Sequence, residues 1–376
     1  MEVRVIDLYH IKMKLAHPFE TSFGRQVYRS CILVRVEDES GEEGWAECVA
    51  GEGPWYSYET VETAWHIIRD FIAPLVLKNE IRSPANVSKM LSRIRGHNMA
   101  KAAVEMAIWD LEAKLQKKPL ARLLGGTKDR VDSGVSIGIQ KSIEKLLKRI
   151  DFFLEQGYKR IKLKIKPGWD VNVISRVRKE YPDILLQVDA NAAYTLRDIN
   201  TLLDLDKYGL LMIEQPLDYD DLVDHAELQS KLKTPICLDE SIKKPEDAVK
   251  AYKLGSCRVI NIKPGRVGGH HNSIIIHDFC LFAGIGTWIG GMLETGIGRG
   301  HLVALASLPG INYPNDISAS SRYYTEDIVE PPWTLNHDGT ISVPNKPGIG
   351  VEVKPDLIEK LTLKKTSLKK PSYSKE

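Results

Sequence analysis

The chain predicts an α/β protein built around a parallel barrel, and three observations predict it. Five charged residues, Lys164, Asp189, Glu214, Asp239 and Lys263, recur at gaps of 25, 25, 25 and 24 positions. Each stands at or near the C-terminal end of a short apolar run, in KRIKLKIK, ILLQVDAN, LLMIEQP, PICLDES and RVINIKP. Strand-like runs alternate with helical segments, and a spacing near 25 fits one strand plus one helix with two loops. The five side chains then gather at one end of a parallel sheet. An open doubly wound sheet is the alternative. Five residues on five consecutive strands favour closure, because an open sheet would spread them too far apart.

Residues 1–60 read as β-rich: VRVIDLYHIKMKL and SCILVRVEDESGEEGWAEC alternate apolar with polar, and DESGEEG carries turn chemistry. SYETVETAWHIIRDFIAPLVL reads as a helix with a cap-like start at Ser57 and apolar residues at i, i+3 and i+4. MAKAAVEMAIWDLEAKLQ is a second long helix, ended by Lys118-Pro119, and Gly125-Gly126 marks a break. From about residue 131 the strand-like runs are VDSGVSIGI, YKRIKLKIK, DILLQVDAN, GLLMIEQPL, TPICLDES, SCRVINIKP and IGTWIGG, with an eighth candidate at GINYPNDIS. Helical segments such as SIEKLLKRIDFFLEQG and PEDAVKAYKLG lie between them. After about residue 325 the pattern turns irregular and is expected to rejoin the N-terminal domain as strands. The basic, polar end, LKKTSLKKPSYSKE, reads as a frayed, solvated tail, with a binding arm as the rival. The expected division is a capping domain over 1–125, the barrel over 126–325, and a returning segment with the tail over 326–376.

A chain of 376 residues suits one large domain and a smaller one, and 43% hydrophobic with 27% charged residues is ordinary for a soluble enzyme. A net charge of +2 points to neither nucleic acid nor an anionic membrane surface. No apolar stretch approaches the ~20 residues that span a bilayer, and the N-terminus reads as a strand rather than a signal peptide. Cys31, Cys48, Cys237, Cys257 and Cys280 are odd in number, widely spaced and without a CxxC pair. Buried thiols in a reducing, cytoplasmic compartment are expected.

Asp189, Glu214 and Asp239 would supply only oxygen ligands, which suits Mg2+ or Mn2+ with positions left open for water or substrate. Such a cation can take a substrate carboxylate and neutralise charge as it develops. Lys162 and Lys164 are one residue apart and face the same side of a strand. A second ammonium disfavours protonation of its neighbour, leaving Lys164 usable as a base. Lys263 approaches from the opposite side, four strands away. Loss of an α-proton from a carbon acid between them gives an enediolate that a divalent cation stabilises. A lone Asp or Lys at a strand end is usually a cap or a surface charge; five in register are hard to dismiss as coincidence.

Other signals carry less. GIGRG (residues 296–300) fails the dinucleotide pattern at His301. His270, His271 and His277 fall on the helix after the sixth barrel strand, where a surface position explains them better than ligation. No His-x-His stands at a strand end, and GVSIG, though it has the letters of a nucleophile elbow, sits on the first barrel strand.

The chain resembles the enolase superfamily in its muconate-lactonizing-enzyme subgroup, and within it the o-succinylbenzoate synthase / N-succinylamino acid racemase family. The resemblance lies in MAKAAVEMAIWDLEAK, GVSIGIQ, RIKLKIKPGWD, VDANAAYT, MIEQPL, TPICLDES, NIKPGRVGG, GGMLETGIGR and DISAS, which cover most of the chain. It implies a modified TIM barrel of (β/α)7β form with an α+β capping domain made from the N- and C-terminal segments. It implies Asp189, Glu214 and Asp239 as ligands of one Mg2+ or Mn2+, Lys164 as the base, and Lys263 as opposing acid/base or as a stabilising cation. Asn191 would lie by the metal or substrate, with Lys162 in support. Loops around residues 19–24 and 51–58, carrying Phe19, Ser22 and Tyr56, would close over a small carboxylate substrate. Ser136 and the 291–294 segment, with Gly291, Met292 and Glu294, would line the mouth. Ile289, where many relatives carry cysteine, is expected to alter pocket shape. A homo-oligomer is implied as well. The reaction implied is o-succinylbenzoate synthesis, a dehydration in menaquinone biosynthesis, with racemisation of N-succinyl or other N-acyl amino acids as the alternative. A catalytically silent barrel is the rival from another class.

Overall fold

The computed structural model describes residues 1–371. The N-terminal segment forms β1 (Val3–Thr21), β2 (Gly24–Asp38) and β3 (Glu43–Cys48), an antiparallel meander. The connection between β2 and β3 is held by Asp38, whose Oδ1 accepts the Ser40 and Glu42 backbone N–H groups at 3.0 Å each, as Asp does in tight turns. Both faces of this sheet are covered. Ile6, Leu8, Ile32 and Val34 pack with the cap's own helices, while Tyr9, Ile11, Met13, Cys31 and Leu33 pack with the barrel. That two-sided burial is why so many residues of β1 are apolar on both parities.

The helix expected to start at Ser57 starts at Val61 instead. Thr60 caps it: its side chain accepts from the Thr63 N–H, and the Thr63 side chain accepts from the Thr60 N–H. Ser57 serves only the loop, accepting from the Glu59 N–H at 3.2 Å. Thr60→Ala is therefore expected to lower stability by about 1 kcal/mol in urea titration. The helix widens to a π turn over Ile68–Ile72, just where Pro74 has no N–H for the Asp70 carbonyl.

The barrel is preceded by β4 (Arg130–Asp132) and built from β5 (Gly134–Ile137), β6 (Arg160–Lys164), β7 (Leu185–Asp189), β8 (Ile213–Glu214), β9 (Ile236–Leu238), β10 (Val259–Ile262) and β11 (Gly286–Ile289). Strands β5 to β11 are neighbours in sequence order and run parallel. The eighth position is taken by the irregular stretch before Ser318, not by a ladder-forming strand. Asn315 donates its N–H to the Asp132 carbonyl at 2.9 Å and accepts from the Gly134 N–H at 2.7 Å. On the other side, Asp316 donates to the Ile289 carbonyl at 2.9 Å. The run VDSGVSIGI, expected as one strand, divides into β4 and β5. Arg160 lies so close that a Cβ on Gly134 would meet its guanidinium at 2.6 Å.

The late segment contributes β12 (Val329–Glu330), β13 (Thr340–Ser342), β14 (Glu352–Val353) and β15 (Thr362–Lys369). Only β15 joins the cap sheet, antiparallel to β1; β13 pairs with β4, and β12 with β14. The tail expected to be frayed is thus an edge strand through Lys369, and only residues 372–376 of it lie outside the described residues. Lys364, Lys365 and Lys369 on it are exposed, as edge strands favour, with Lys364 3.2 Å from Glu62. Among the described residues, no helix is long and apolar enough to cross a membrane.

The Asn98–Leu115 helix packs on β2 and β3 on one side and on the Pro264–Val267 turn of the barrel on the other. It buries two acids. Glu105 accepts from Trp109 Nε1 at 2.8 Å and from the His270 and His271 N–H groups at 2.8 and 2.9 Å. It thereby caps the His270–Ala283 helix, whose own N-cap residue, Gly269, has no side chain to do so. Gly269 is at φ +113, and a Cβ there would lie 2.2 Å from Glu105 Oε2. Asp110 accepts from the Trp45 and Ile349 N–H groups at 2.9 and 2.7 Å. Glu105→Ala orphans three donors, two of them buried, and is expected to cost about 3 kcal/mol, read as a fall in the denaturation midpoint; Glu105→Gln, which keeps the acceptor oxygen, is expected to cost less.

Burial also corrects the surface reading of two of the histidines. His270 and His277 are buried. His270 Nε2 lies 2.9 Å from His301 Nδ1, and His277 Nε2 accepts the Gly310 N–H at 3.1 Å. Burial holds His270 well below the usual imidazole range.

Candidate active site

The 25-residue repeat becomes a ring of side chains at the C-terminal mouth of the barrel. Lys164 of β6 is the register partner of Asp189 of β7, and Asp189 that of Glu214 of β8. Asp239 follows β9 and Lys263 follows β10. Lys162, two residues before Lys164, shares its inward face.

The contacts alternate in sign. Asp189 Oδ2 lies 2.6 Å from Lys164 Nζ and 3.3 Å from Lys162 Nζ. Glu214 Oε2 accepts from Lys162 Nζ at 2.9 Å and from Gln187 Nε2 at 2.8 Å, and its Oε1 accepts from Asn261 Nδ2 at 2.6 Å. Asp239 Oδ2 lies 2.8 Å from Lys263 Nζ, while its Oδ1 accepts from Tyr56 Oη at 2.9 Å and from Arg266. Asn191 accepts from Lys164 Nζ at 2.7 Å and donates to Glu240 Oε1 at 3.0 Å. Lys162 also meets Asp316 Oδ2 at 2.6 Å.

Electrostatics separates the three carboxyls. Burial pushes each upward, but Lys164 and Lys162 outweigh it at Asp189, and Lys263 with Arg266 outweighs it at Asp239, so both stay below the usual range. Glu214, buried and repelled by Asp189, is pushed up to about 7. Glu240 is raised well above its ordinary value by burial and by Asp239, and its Oε2 has no hydrogen-bond partner. Crowded like charges of this kind are relieved by a cation. The donor set is all oxygen, at the C-terminal ends of adjacent strands, which fits a hard divalent ion. Among the described residues, no three such groups already stand at ligating spacing; their oxygens are turned to the lysines and Arg266.

A cavity of about 790 Å3 opens above them. Of the residues singled out in the sequence, Phe19, Tyr56, Ser136, Lys162, Lys164, Asn191, Lys263, Gly291 and Met292 line it. Asp189, Glu214 and Asp239 lie beneath the lysines rather than on its wall. Ser22 and Glu294 do not line it either. Ser22 Oγ donates to the Asn191 carbonyl at 3.3 Å, and Glu294 accepts the Met292 N–H at 2.7 Å, so both act on residues that do. Ile289, expected to shape the pocket, is fully buried in the barrel core and absent from the lining. Residues of both predicted loops, among them Phe23 and Trp55, line the cavity as well.

Sequence reasoning missed Asp316, Arg266, Gln187 and Asn261. Arg266 and Asn261 flank Lys263 in RVINIKPGR, and a wider window around that lysine could have found them. Asp316 stands on the irregular eighth segment, off the 25-residue repeat, and had no periodic signal to reveal it.

Residues 4–125 match the mandelate racemase / muconate lactonizing enzyme N-terminal domain, and residues 145–357 match the enolase C-terminal domain-like family. An o-succinylbenzoate synthase from Geobacillus stearothermophilus is 52% identical, covering 96% of each chain. An N-succinylamino acid racemase from Amycolatopsis is 47% identical over 97% of this chain and 99% of its own. A solved member of the enolase superfamily from Listeria innocua superposes with a TM-score of 0.95 at 42% identity, covering 99% of this chain and 100% of that one.

Proposed function

The chain belongs to the mandelate racemase / muconate lactonizing enzyme family of the enolase superfamily, and from that premise we propose that it removes a proton α to a substrate carboxylate, acting as an o-succinylbenzoate synthase. The substrate would be the hydroxycyclohexadiene precursor SHCHC and the product 2-succinylbenzoate, as in menaquinone biosynthesis. One observation carries the reading. Lys164 and Lys263, on strand ends that lie four strands apart, line the same cavity above three buried carboxylates.

Members of the superfamily generally use a divalent metal. Asp189, Glu214 and Asp239 would hold one Mg2+ (or Mn2+), which supplies electrostatic stabilisation of charge developing on the substrate carboxylate. Lys164 Nζ, steered by Asp189 and Asn191, takes the α-proton. Lys162 adds a fixed positive charge beside it, held by Asp316 and Glu214. Lys263 remains cationic on the far face; burial alone would lower its pKa, but Asp239 beside it holds it raised. Loss of hydroxide then aromatises the ring. Phe19, Tyr56 and residues of the two outer loops line the cavity and would shield bound substrate from water.

Racemisation of N-succinyl amino acids is the second reading, favoured by the near-symmetry of the two lysines about the carboxylates. There Lys263 returns a proton to the face opposite Lys164. The five cysteines are all buried and free, which supports a reducing, cytoplasmic setting. Steady-state rates on SHCHC and on an N-succinyl amino acid, measured side by side with Mg2+, test the assignment; no turnover and no solvent exchange with either compound overturns it. Lys263→Ala is expected to reduce racemisation at least about tenfold more than dehydration, because only racemisation needs a proton transfer at that face.

A further inference from the structure

The two lysines are held by different parts of the molecule. Lys164 has its hydrogen bonds to Asp189 and Asn191, both on the barrel. Lys263 bonds to Asp239, but it also donates to Tyr56 Oη at 3.3 Å and lies 4.6 Å from the centre of the Tyr56 ring. Tyr56 comes from the capping segment, more than 200 positions away in the chain. Its hydroxyl reaches both members of the pair, donating to Asp239 Oδ1 at 2.9 Å while accepting from Lys263. Met292 Sδ, 3.6 Å from Lys263 Nζ, closes the other side.

We propose that Tyr56 is a positioning residue for Lys263 alone, so that the capping domain governs proton transfer at one face of the substrate and leaves the other to the barrel. The inference rests on the α-proton chemistry proposed above and deepens it. The aromatic face holds the ammonium by cation–π attraction, and the hydroxyl fixes its direction. A lysine that transfers a proton must meet the carbon within hydrogen-bond reach, and a displacement of about 1 Å can lower the rate by ~100-fold. Lys164 has no such dependence. The nearest capping contribution to it is Ser22, which meets the backbone of Asn191 and not the lysine.

The test follows α-proton exchange in D2O, by NMR, for each enantiomer of an N-succinyl amino acid with saturating Mg2+. Lys164→Ala and Lys263→Ala first assign each enantiomer to its lysine, since each should stop exchange of one enantiomer. Tyr56→Phe, which keeps the ring, is expected to slow exchange at the Lys263 face roughly tenfold, and Tyr56→Leu, which removes ring and hydroxyl, roughly 100-fold. Exchange at the Lys164 face should fall no more than about threefold in either variant, which also reports that the variants are folded. If wild-type protein exchanges neither enantiomer and does not turn over SHCHC, the reaction reading fails and the inference with it; if it turns over SHCHC but exchanges neither enantiomer, the inference alone fails. If wild type exchanges both, and the Tyr56 variants lose both equally or neither, the inference fails and the reaction reading stands.

Discussion

Lys164→Ala is expected to lower kcat for both dehydration and racemisation by about three orders of magnitude or more, within the range a positioned proton-transfer group supplies. The expectation follows from placement. Lys164 lines the cavity, and its ammonium is fixed by two hydrogen bonds, to Asp189 and Asn191. The variant removes a cation beside Asp189, which also keeps Lys162 at 3.3 Å as a partner, so the fold has a remaining counter-charge. Kinetics should therefore change far more than the denaturation midpoint. Activity within tenfold of wild type would remove Lys164 from the role of base.

The second large effect concerns the cation. Dialysis against EDTA should abolish turnover, and added Mg2+ should restore it. Binding should also raise the melting temperature, because an ion that binds only the folded chain adds about 2.7 kcal/mol of stability at 100 times its Kd. Glu214→Gln should remove both responses. Glu214 sits between Asp189 and Asp239 in strand order and is raised to about 7 by burial and by Asp189. Converting it to an amide relieves that crowding while removing a charged ligand. A Glu214→Gln protein that kept a wild-type Mg2+-dependent rise in melting temperature would exclude Glu214 as a ligand.

Much of the fold was legible because one period governs it. The repeat from Lys164 to Lys263 marks β6 to β10 in order, and the structure gathers all five side chains at one mouth. Features without a period were read less well. The helix start at Thr60 was placed three residues early, since Ser57 and Thr60 both offer capping hydroxyls and only the packed loop chooses between them. The tail lysines read as solvated charge, yet β1 presents an open edge to their backbone, and backbone bonding ignores side-chain polarity. His270 and His277 read as surface residues because the helix pattern does not reveal that the Asn98–Leu115 helix covers the first and the loop at Gly310 the second.

What the sequence by itself determined is the order of charges around the mouth: a lysine pair on one strand, then three carboxylates and an opposing lysine, one on each of the next four. It could do so because strand, helix and loop lengths are local quantities that set where each side chain emerges. What only the tertiary structure decided are contacts between distant segments: Asp316 beside Lys162, Glu105 capping the His270–Ala283 helix, and Tyr56 on Lys263. The first depends on how the irregular eighth segment closes the barrel and the other two on how the cap is seated on it; both are set by the shared burial of surfaces more than a hundred residues apart, which leave no spacing for a sequence to display.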